Sequence, residues 1–333
     1  MALRTDLHQH AWPVELLTQL AAREGRDGPR ARRDGEGWIL ELPGEPASRL
    51  GEREIDLHRR AGALFAAGID RALLVPPLAI GLDGLDPAES RELLAAWAAG
   101  ARRFRTPEGS PFAVWAAVPA ADPDPADLAA QLAAGAIGLA LPAAALADAA
   151  ALDRHGPLLE ALARADRPLF VHPGPPAASP AARTAAPWRA AIADYPAQLL
   201  AAWATWLERG LREHPAVRVA FAALAGGAPL LLERLAARGG PVADARDERV
   251  AYDTSSFGPR ALGAAALAVG AERLAFGSDR PVVAATDQHV PPIAGVERHG
   301  LTTVAAARLL GEPVPATAPA APTPLPTALP EAA

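Results

Sequence analysis

The sequence predicts an α/β fold in which eight strand–helix units close into a (β/α)₈ barrel, the TIM-barrel architecture. Short apolar runs alternate with longer amphipathic stretches along the 333 residues, and this alternation indicates parallel strands joined by helices. Eight units spread over roughly 250 residues or more match the size of such a barrel. The alternative, a doubly wound open sheet, would place a glycine-rich phosphate loop after the first strand. This chain has His-Gln-His-Ala-Trp-Pro there, so the barrel is favoured.

The boundaries of the units follow from the apolar periodicity and from the positions of Gly and Pro. The predicted strands cover residues 3–8, 71–75, 112–118, 136–141, 168–172, 217–224, 250–254 and 273–277. The predicted helices cover residues 52–67, 88–103, 125–134, 157–165, 188–213, 228–238, 259–269 and 302–309.

Two segments depart from this compact pattern. Residues 25–50 are polar and rich in Gly, Arg and Pro, which predicts a long first loop. In a barrel this loop leaves the C-terminal end of the first strand, so it can lie over an active site. Residues 311–333 consist almost entirely of Pro, Ala and Thr with a few Leu, a composition that predicts a disordered tail. We therefore expect a barrel domain over residues 1–310 followed by the tail.

Composition excludes several classes of protein. The chain has no cysteine, so disulfides, thiolate metal sites and cysteine nucleophiles are ruled out. Its formal net charge of −6 provides no basic footprint for nucleic acid. No secretory signal pattern and no apolar stretch of membrane-spanning length is visible. We expect a cytoplasmic protein that acts on a small molecule, without nucleic-acid or membrane partners, and association into a homo-oligomer stays open.

Four side chains at the C-terminal ends of predicted strands predict a metal site. His8 and His10 are two residues apart, and residues at this spacing in a strand point to the same face. His172 ends the fifth predicted strand and Asp279 follows the eighth. Three imidazoles and one carboxylate suit Zn²⁺, Mn²⁺ or Fe²⁺. The competing interpretation is structural: buried, hydrogen-bonded histidines and a loop-capping aspartate.

The motifs DLHQH, FVHPG, REHPAVRVAFAALAGGAP, YDTSS and GSDRP resemble those of the amidohydrolase superfamily. The resemblance is to its amidohydrolase-related group, which includes aminocarboxymuconate-semialdehyde decarboxylase, and it extends over about residues 3–310. It implies a metal-dependent TIM barrel that binds one divalent ion, with zinc as the first expectation. The implied ligands are His8, His10, His172 and Asp279.

The chain departs from that family at two positions. The sixth strand of family members usually ends in His-x-Gly-Gly, but here Leu224 stands where the histidine would be. A leucine cannot transfer a proton. The fourth strand lacks the lysine that bridges two metals, so a single-metal site is implied. His155 and His289 could replace the missing histidine, although surface loop positions are expected for both.

Further residues near the strand ends could contact a substrate. Arg280 is the best candidate to hold a substrate carboxylate, with a loop-structuring ion pair as the alternative. Trp12 could line the pocket or pack in the core. Asp253 and Ser255, near the end of the seventh strand, are weaker candidates that a hydrogen-bonded strand end would also explain.

The leading functional prediction is a metal-dependent hydrolase of a small amide, ester or lactone, in which Asp279 takes a proton from metal-activated water. The first alternative is a non-oxidative decarboxylase of a cyclic or unsaturated carboxylic acid, in which Asp279 delivers the proton. The second is a catalytically impaired pseudo-hydrolase that binds a metabolite, and a metal-free lactonase also stays open.

Overall fold

The computed structural model describes residues 2–43, 45–104, 109–176, 186, 188–282 and 300–314. Its strands, in chain order, are β1 (Thr5–His10), β2 (Arg30–Asp34), β3 (Gly37–Glu41), β4 (Ser48–Leu50), β5 (Arg71–Val75), β6 (Phe112–Val114), β7 (Leu139–Pro142), β8 (Leu169–His172), β9 (Val219–Phe221), β10 (Val250–Asp253) and β11 (Leu274–Ala275). Eight of these strands are parallel and overlap the eight predicted ones, so the α/β prediction is confirmed.

The parallel strands form two sheets that meet at both edges. One sheet has the order β1-β5-β6 and the other the order β11-β10-β9-β8-β7. At one seam the Ala116 amide donates to Gly138 at 2.8 Å, and at the other the Leu7 amide donates to Phe276 at 2.9 Å. Single bridges, Ala116–Leu139 and Gln9–Arg280, mark these seams. The predicted closed barrel is therefore not observed as one continuous ladder.

Helices connect the strands and cover them. The α-helices are Val14–Ala21, Glu52–Ile55, Leu57–Ala66, Pro87–Ala101, Pro125–Ala133, Ala149–Ala165, Tyr195–Thr205, Leu211–Glu213, Leu232–Ala236, Pro259–Val269 and Ala305–Leu310. π-helical turns at Ala190–Asp194, Trp206–Gly210 and Gly300–Val304 extend three of them.

Two helix boundaries differ from the prediction because side-chain caps decide them. The predicted helix 157–165 begins at Ala149, since the Asp148 carboxylate accepts the Ala151 amide at 2.8 Å; Pro157 lies inside the helix. The predicted helix 52–67 is interrupted at Asp56, whose carboxylate accepts the His58 amide at 2.8 Å and starts a new helix. Asp at the N-cap satisfies amides that the first turn leaves unpaired.

The predicted first loop contains an unpredicted antiparallel sheet, β2-β3-β4. Trp38 of β3 is buried, and the guanidinium of Arg33 lies 4.3 Å from the centre of its ring. Beyond β3, Pro43 packs against Gly81 and Glu45 bonds Tyr195. We call residues 30–43 and 45–50 the first-loop sheet. It reaches segments that follow β5 and β8, at the C-terminal ends of the strands.

The predicted tail lies mainly outside the described residues, which end at 314. Gly311 closes the last helix with a left-handed backbone at φ 69°. Among the described residues, no helix is both long enough and apolar enough to cross a membrane.

Candidate metal centre

His8 and His10 lie side by side in β1. The strand runs on to His10 instead of ending at the predicted His8, and a register shift between Asp6 and Gln9 interrupts its pairing with β5. Both imidazoles are buried, and their Nε2 atoms are 3.2 Å apart. Two acceptor nitrogens at this distance, away from water, favour a shared proton or cation between them.

His172 completes a cluster of three imidazoles. It is the last residue of β8, and its ring centre lies 5.0 Å from the ring centres of both His8 and His10. Its Nδ1 lies 2.8 Å from the Pro173 carbonyl oxygen, which can only accept, so Nδ1 carries the hydrogen. Nε2 of the neutral ring is then the lone-pair nitrogen. One ligand atom from each histidine lies within 4.8 Å of the others.

Asp279 adds a carboxylate to this cluster. Its amide donates to the His8 carbonyl at 2.8 Å, and its φ of 53° turns the chain sharply. Its Oδ1 lies 3.2 Å from Nε2 of His10 and 3.5 Å from Nε2 of His8. This oxygen is buried and has no hydrogen bond among the described residues. A buried carboxylate oxygen whose nearest polar neighbours are imidazole nitrogens fits a divalent cation shared with those imidazoles.

Asp253 orients His8 from behind. Its Oδ2 lies 2.8 Å from Nδ1 of His8, so the hydrogen of that imidazole sits on Nδ1 and Nε2 faces the cluster. The same carboxylate accepts the amides of Ala223 and Ser255, each at 3.1 Å, and the Ser255 hydroxyl. Asp253 is fully buried. The sequence marked Asp253 and Ser255 only as weak candidates because their partner is 245 positions away.

The buried charges act on one another strongly. Burial alone would lower the pKa of His8, but the carboxylates of Asp279 and Asp253 raise it to about 9. Burial lowers the pKa of His10 and, further, that of His172. Burial tends to raise the pKa of Asp279, yet the neighbouring imidazoles lower it. The centre therefore holds an ionised carboxylate, one imidazole that prefers a proton and two that prefer to stay neutral.

A second buried network fixes β1 to the segment after β11, and the sequence provided no signal for it. The Asp6 carboxylate accepts a hydrogen bond from Nε2 of Gln9 at 2.7 Å and another from the Ser278 amide at 3.0 Å. The Arg60 guanidinium donates to Gln9 Oε1 and to the His10 carbonyl. Burial raises the pKa of Asp6 and lowers that of Arg60 to about 10.

Aromatic rings close the floor of the centre. Phe170 meets the ring of His8 edge-on at 5.2 Å, and Trp115 stacks on Phe170 at 5.3 Å. The indole of Trp115 donates to the Leu7 carbonyl at 3.3 Å. Gly138 leaves room for this stack, since a Cβ there would lie 2.7 Å from the indole. The floor is apolar, which strengthens electrostatic interactions above it.

The other predicted site residues lie as follows. Arg280 follows Asp279 directly, and its carbonyl accepts the His10 amide at 2.6 Å. Trp12 is buried in the hydrophobic core, and its role in lining a pocket stays a prediction. The surface loop position predicted for His155 is wrong. This residue is buried in a helix, and its ring nitrogens lie near the carbonyl oxygens of Ala151 and Ala120. His289 lies outside the described residues.

Leu224 lies in an unusual backbone. The predicted strand 217–224 ends at Phe221, and Ala223, Leu224 and Ala225 have φ values of 45°, 50° and 53°. Gly226 and Gly227 continue the left-handed run. This conformation costs a residue with a Cβ roughly 1–2 kcal/mol. Leu224 is fully buried, and because its side chain has no titratable group this position cannot transfer a proton. We call residues 223–227 the left-handed segment.

Comparison with known proteins finds relatives only at the level of three-dimensional structure. No family model matches the chain, and no curated protein matches its sequence. The Metarhizium anisopliae IDCase aligns with a TM-score of 0.73 at 20% identity, over 93% of this chain and 97% of that one. The 2,6-dihydroxybenzoate decarboxylase from Rhizobium aligns with a TM-score of 0.64 at 20% identity, over 93% and 99% of the two chains.

A third relative contains a metal. The 5-carboxyvanillate decarboxylase from Novosphingobium aromaticivorans, crystallised with manganese, aligns with a TM-score of 0.64 at 19% identity, over 93% of this chain and 96% of that one. A putative amidohydrolase from Staphylococcus aureus also aligns, with a TM-score of 0.60 at 13% identity over 78% and 93%. Decarboxylases thus stand among the solved relatives, and the leading prediction of a hydrolase is wrong. The resemblance drawn from the motifs is confirmed at the level of fold: this chain shares the fold of these decarboxylases and of the putative amidohydrolase.

Proposed function

We propose that the protein is a metal-dependent, non-oxidative decarboxylase of a small cyclic or unsaturated carboxylic acid. The observation that carries this proposal is the buried cluster of three imidazoles with the Asp279 carboxylate beside them, on a fold shared with decarboxylases. Relatives named for 2,6-dihydroxybenzoate and 5-carboxyvanillate point to an aromatic acid with a hydroxyl group. We also infer that the two parallel sheets act as one barrel, since hydrogen bonds join both seams.

His8, His10, His172 and Asp279 would hold one divalent ion. Zinc, manganese and iron all suit this mixture of nitrogen and oxygen ligands, and manganese is the ion bound in one relative. Such an ion would supply positive charge that orients the carboxylate of the substrate. Asp253 and the Pro173 carbonyl hold two of the imidazoles in the tautomer that presents Nε2 to the centre.

Asp279 is the group that can carry the proton. Both oxygens of Asp253 are already engaged by His8, Ser255 and the Ala223 amide, whereas Oδ1 of Asp279 has no hydrogen bond within the described part of the chain. The ionised Asp279 carboxylate first takes up a proton from water and delivers it to the substrate carbon, which forms the new carbon–hydrogen bond and leaves Asp279 ionised again. The carbon–carbon bond then breaks, its electron pair stays with the substrate, and CO₂ leaves. A positioned acid of this kind typically contributes 10²–10⁴-fold to the rate.

A direct assay tests the proposal. The metal-loaded protein is incubated in D₂O with a panel of hydroxybenzoic and other unsaturated acids, together with esters and lactones. We expect CO₂ release and one deuterium on the product carbon, lost in Asp279→Asn and after chelation. Glu15→Gln, which alters a carboxylate paired with Arg103 on the surface, is the matched control. Turnover of esters or lactones without CO₂ release from any acid would contradict the proposal.

A further inference from the structure

The first-loop sheet brings a second acid–base pair to the C-terminal ends of the strands. The Tyr195 hydroxyl donates a hydrogen bond to Oε1 of Glu45, across 150 positions of sequence. Glu45 follows β3, whereas Tyr195 begins the helix Tyr195–Thr205. Both side chains are partly buried. Burial raises the pKa of the Glu45 carboxyl group, so this carboxylate binds a proton more readily than an exposed glutamate.

The helix that begins at Tyr195 contacts the segment that follows His172. One turn later, Gln198 accepts the Gly174 amide at 2.8 Å and donates to the Pro175 carbonyl at 3.1 Å. Gly174 and Pro175 belong to the short segment that directly follows His172. Burial raises the pKa of the Tyr195 hydroxyl, and the carboxylates of Glu45 and Asp279 raise it further.

The same helix packs against the left-handed segment. A Cβ added to Gly226 would lie 2.5 Å from the carbonyl oxygen of Pro196, the residue next to Tyr195. Leu224 belongs to this segment and occupies the position where the resembling family has its histidine. The helix that begins at Tyr195 thus contacts the segment that contains Leu224.

We propose that Tyr195 and Glu45 form a proton relay that receives a hydroxyl group of the substrate. This inference rests on the proposed decarboxylation and narrows its substrate to an acid with a hydroxyl beside the carboxylate. As the ring carbon gains its proton, the substrate hydroxyl passes its proton to the Tyr195 oxygen, and Tyr195 passes its own proton to Glu45. After the carbon–carbon bond breaks, both protons return. The relay is neutral overall, and the observed direction of the Tyr195 hydrogen bond is the one it requires.

Kinetics of conservative variants test the relay. Tyr195→Phe keeps the ring and removes the hydroxyl, and Glu45→Gln keeps an acceptor oxygen but cannot take a proton. We expect each to lower kcat for a hydroxybenzoic acid by about 100-fold or more. The double variant should be no slower than the slower single one, because both residues serve one transfer. Tyr252→Phe is the control, since that hydroxyl donates to the Ala245 carbonyl at 2.8 Å, away from Glu45.

A binding measurement separates this inference from the proposed function. A nitro-substituted hydroxybenzoic acid reports the ionisation of its own hydroxyl by visible absorbance. We expect its apparent pKa when bound to differ between wild type and both Tyr195→Phe and Glu45→Gln, with bound metal unchanged. If CO₂ is released and the dye binds, but kcat and the dye's pKa are the same in wild type and variants, the relay is wrong and the decarboxylase stands. If wild type neither releases CO₂ nor binds the dye, both proposals fail.

Discussion

Binding of a metal ion should expel close to one proton from His8 near neutral pH. Asp253 and Asp279 hold the pKa of this imidazole at about 9, so in the metal-free protein it carries a proton at pH 7. A metal ion needs the neutral ring. The lowered pKa values of His10, His172 and Asp279 mean that these three groups bring no proton to be displaced.

The size of the effect follows from the pKa of His8. Two pH units separate pH 7 from a pKa of about 9, which corresponds to about 2.7 kcal/mol, or an affinity about 100-fold below its plateau. The affinity should therefore rise about tenfold per pH unit from 7 to 9 and then level off. Calorimetric titration with Mn²⁺ and Zn²⁺, in buffers that differ in ionisation enthalpy, measures both the affinity and the number of protons released.

Asp253→Asn provides the decisive comparison. Without the Asp253 carboxylate, the pKa of His8 falls, so fewer protons are released when the metal binds. The variant also loses the hydrogen bond that orients His8, which should weaken the plateau affinity for the metal by about 10–100-fold. The ratio of wild-type to variant affinity should therefore be larger at pH 9 than at pH 7. Asp127→Asn, at a surface ion pair with Arg91, is the control. Release of no protons, with an affinity independent of pH, would refute the assignment of a protonated His8.

Two further predictions concern stability. Gly277→Ala should lower the free energy of unfolding by about 3 kcal/mol or more, because a Cβ there would lie 1.9 Å from Oδ1 of Asp253. Gly62→Ala, which has open space around it, should raise the free energy of unfolding by about 0.5–1 kcal/mol. The opposite order of the two variants in chemical denaturation would contradict the packing around Gly277. The pKa of His8 is raised on folding, so its contribution is complete below about pH 6.5 and is lost as the pH rises through about 9. The free energy of unfolding of the metal-free protein should thus fall by about 3 kcal/mol across that pH range. An equally large fall in Asp253→Asn would exclude the His8–Asp253 pair as the source of this pH dependence.

The parallel strands could be predicted because each is buried and therefore reads as a short apolar run. β7, Leu139–Pro142, and β8, Leu169–His172, are buried along their whole length. Once the strands were placed, three ligand candidates followed, since side chains at strand ends share one edge. His8, His10 and His172 do come together in the structure.

The remaining features depend on contacts that local sequence patterns do not encode. The first-loop sheet is held by Trp38, which is buried through packing with distant residues, whereas the arginines around it read as a polar loop. His155 looked like a surface residue because Pro157 appeared to begin the helix, but the Asp148 cap begins it earlier and draws His155 into the core. The partners of Asp253 and Tyr195 are 245 and 150 positions away.

Asp253 joins the metal centre to the left-handed segment. Its Oδ2 is shared between Nδ1 of His8 and the Ala223 amide, so one carboxylate orients an imidazole and holds the first strained residue of that segment. Three non-glycine residues in the left-handed region would cost several kcal/mol without such support. The segment in turn packs through Gly226 on Pro196, beside Tyr195. The strained backbone is kept although Leu224 stands where the resembling family has a histidine, so we infer that the segment has another task. Positioning the helix that carries Tyr195 is a task that does not require a proton-transferring side chain at Leu224.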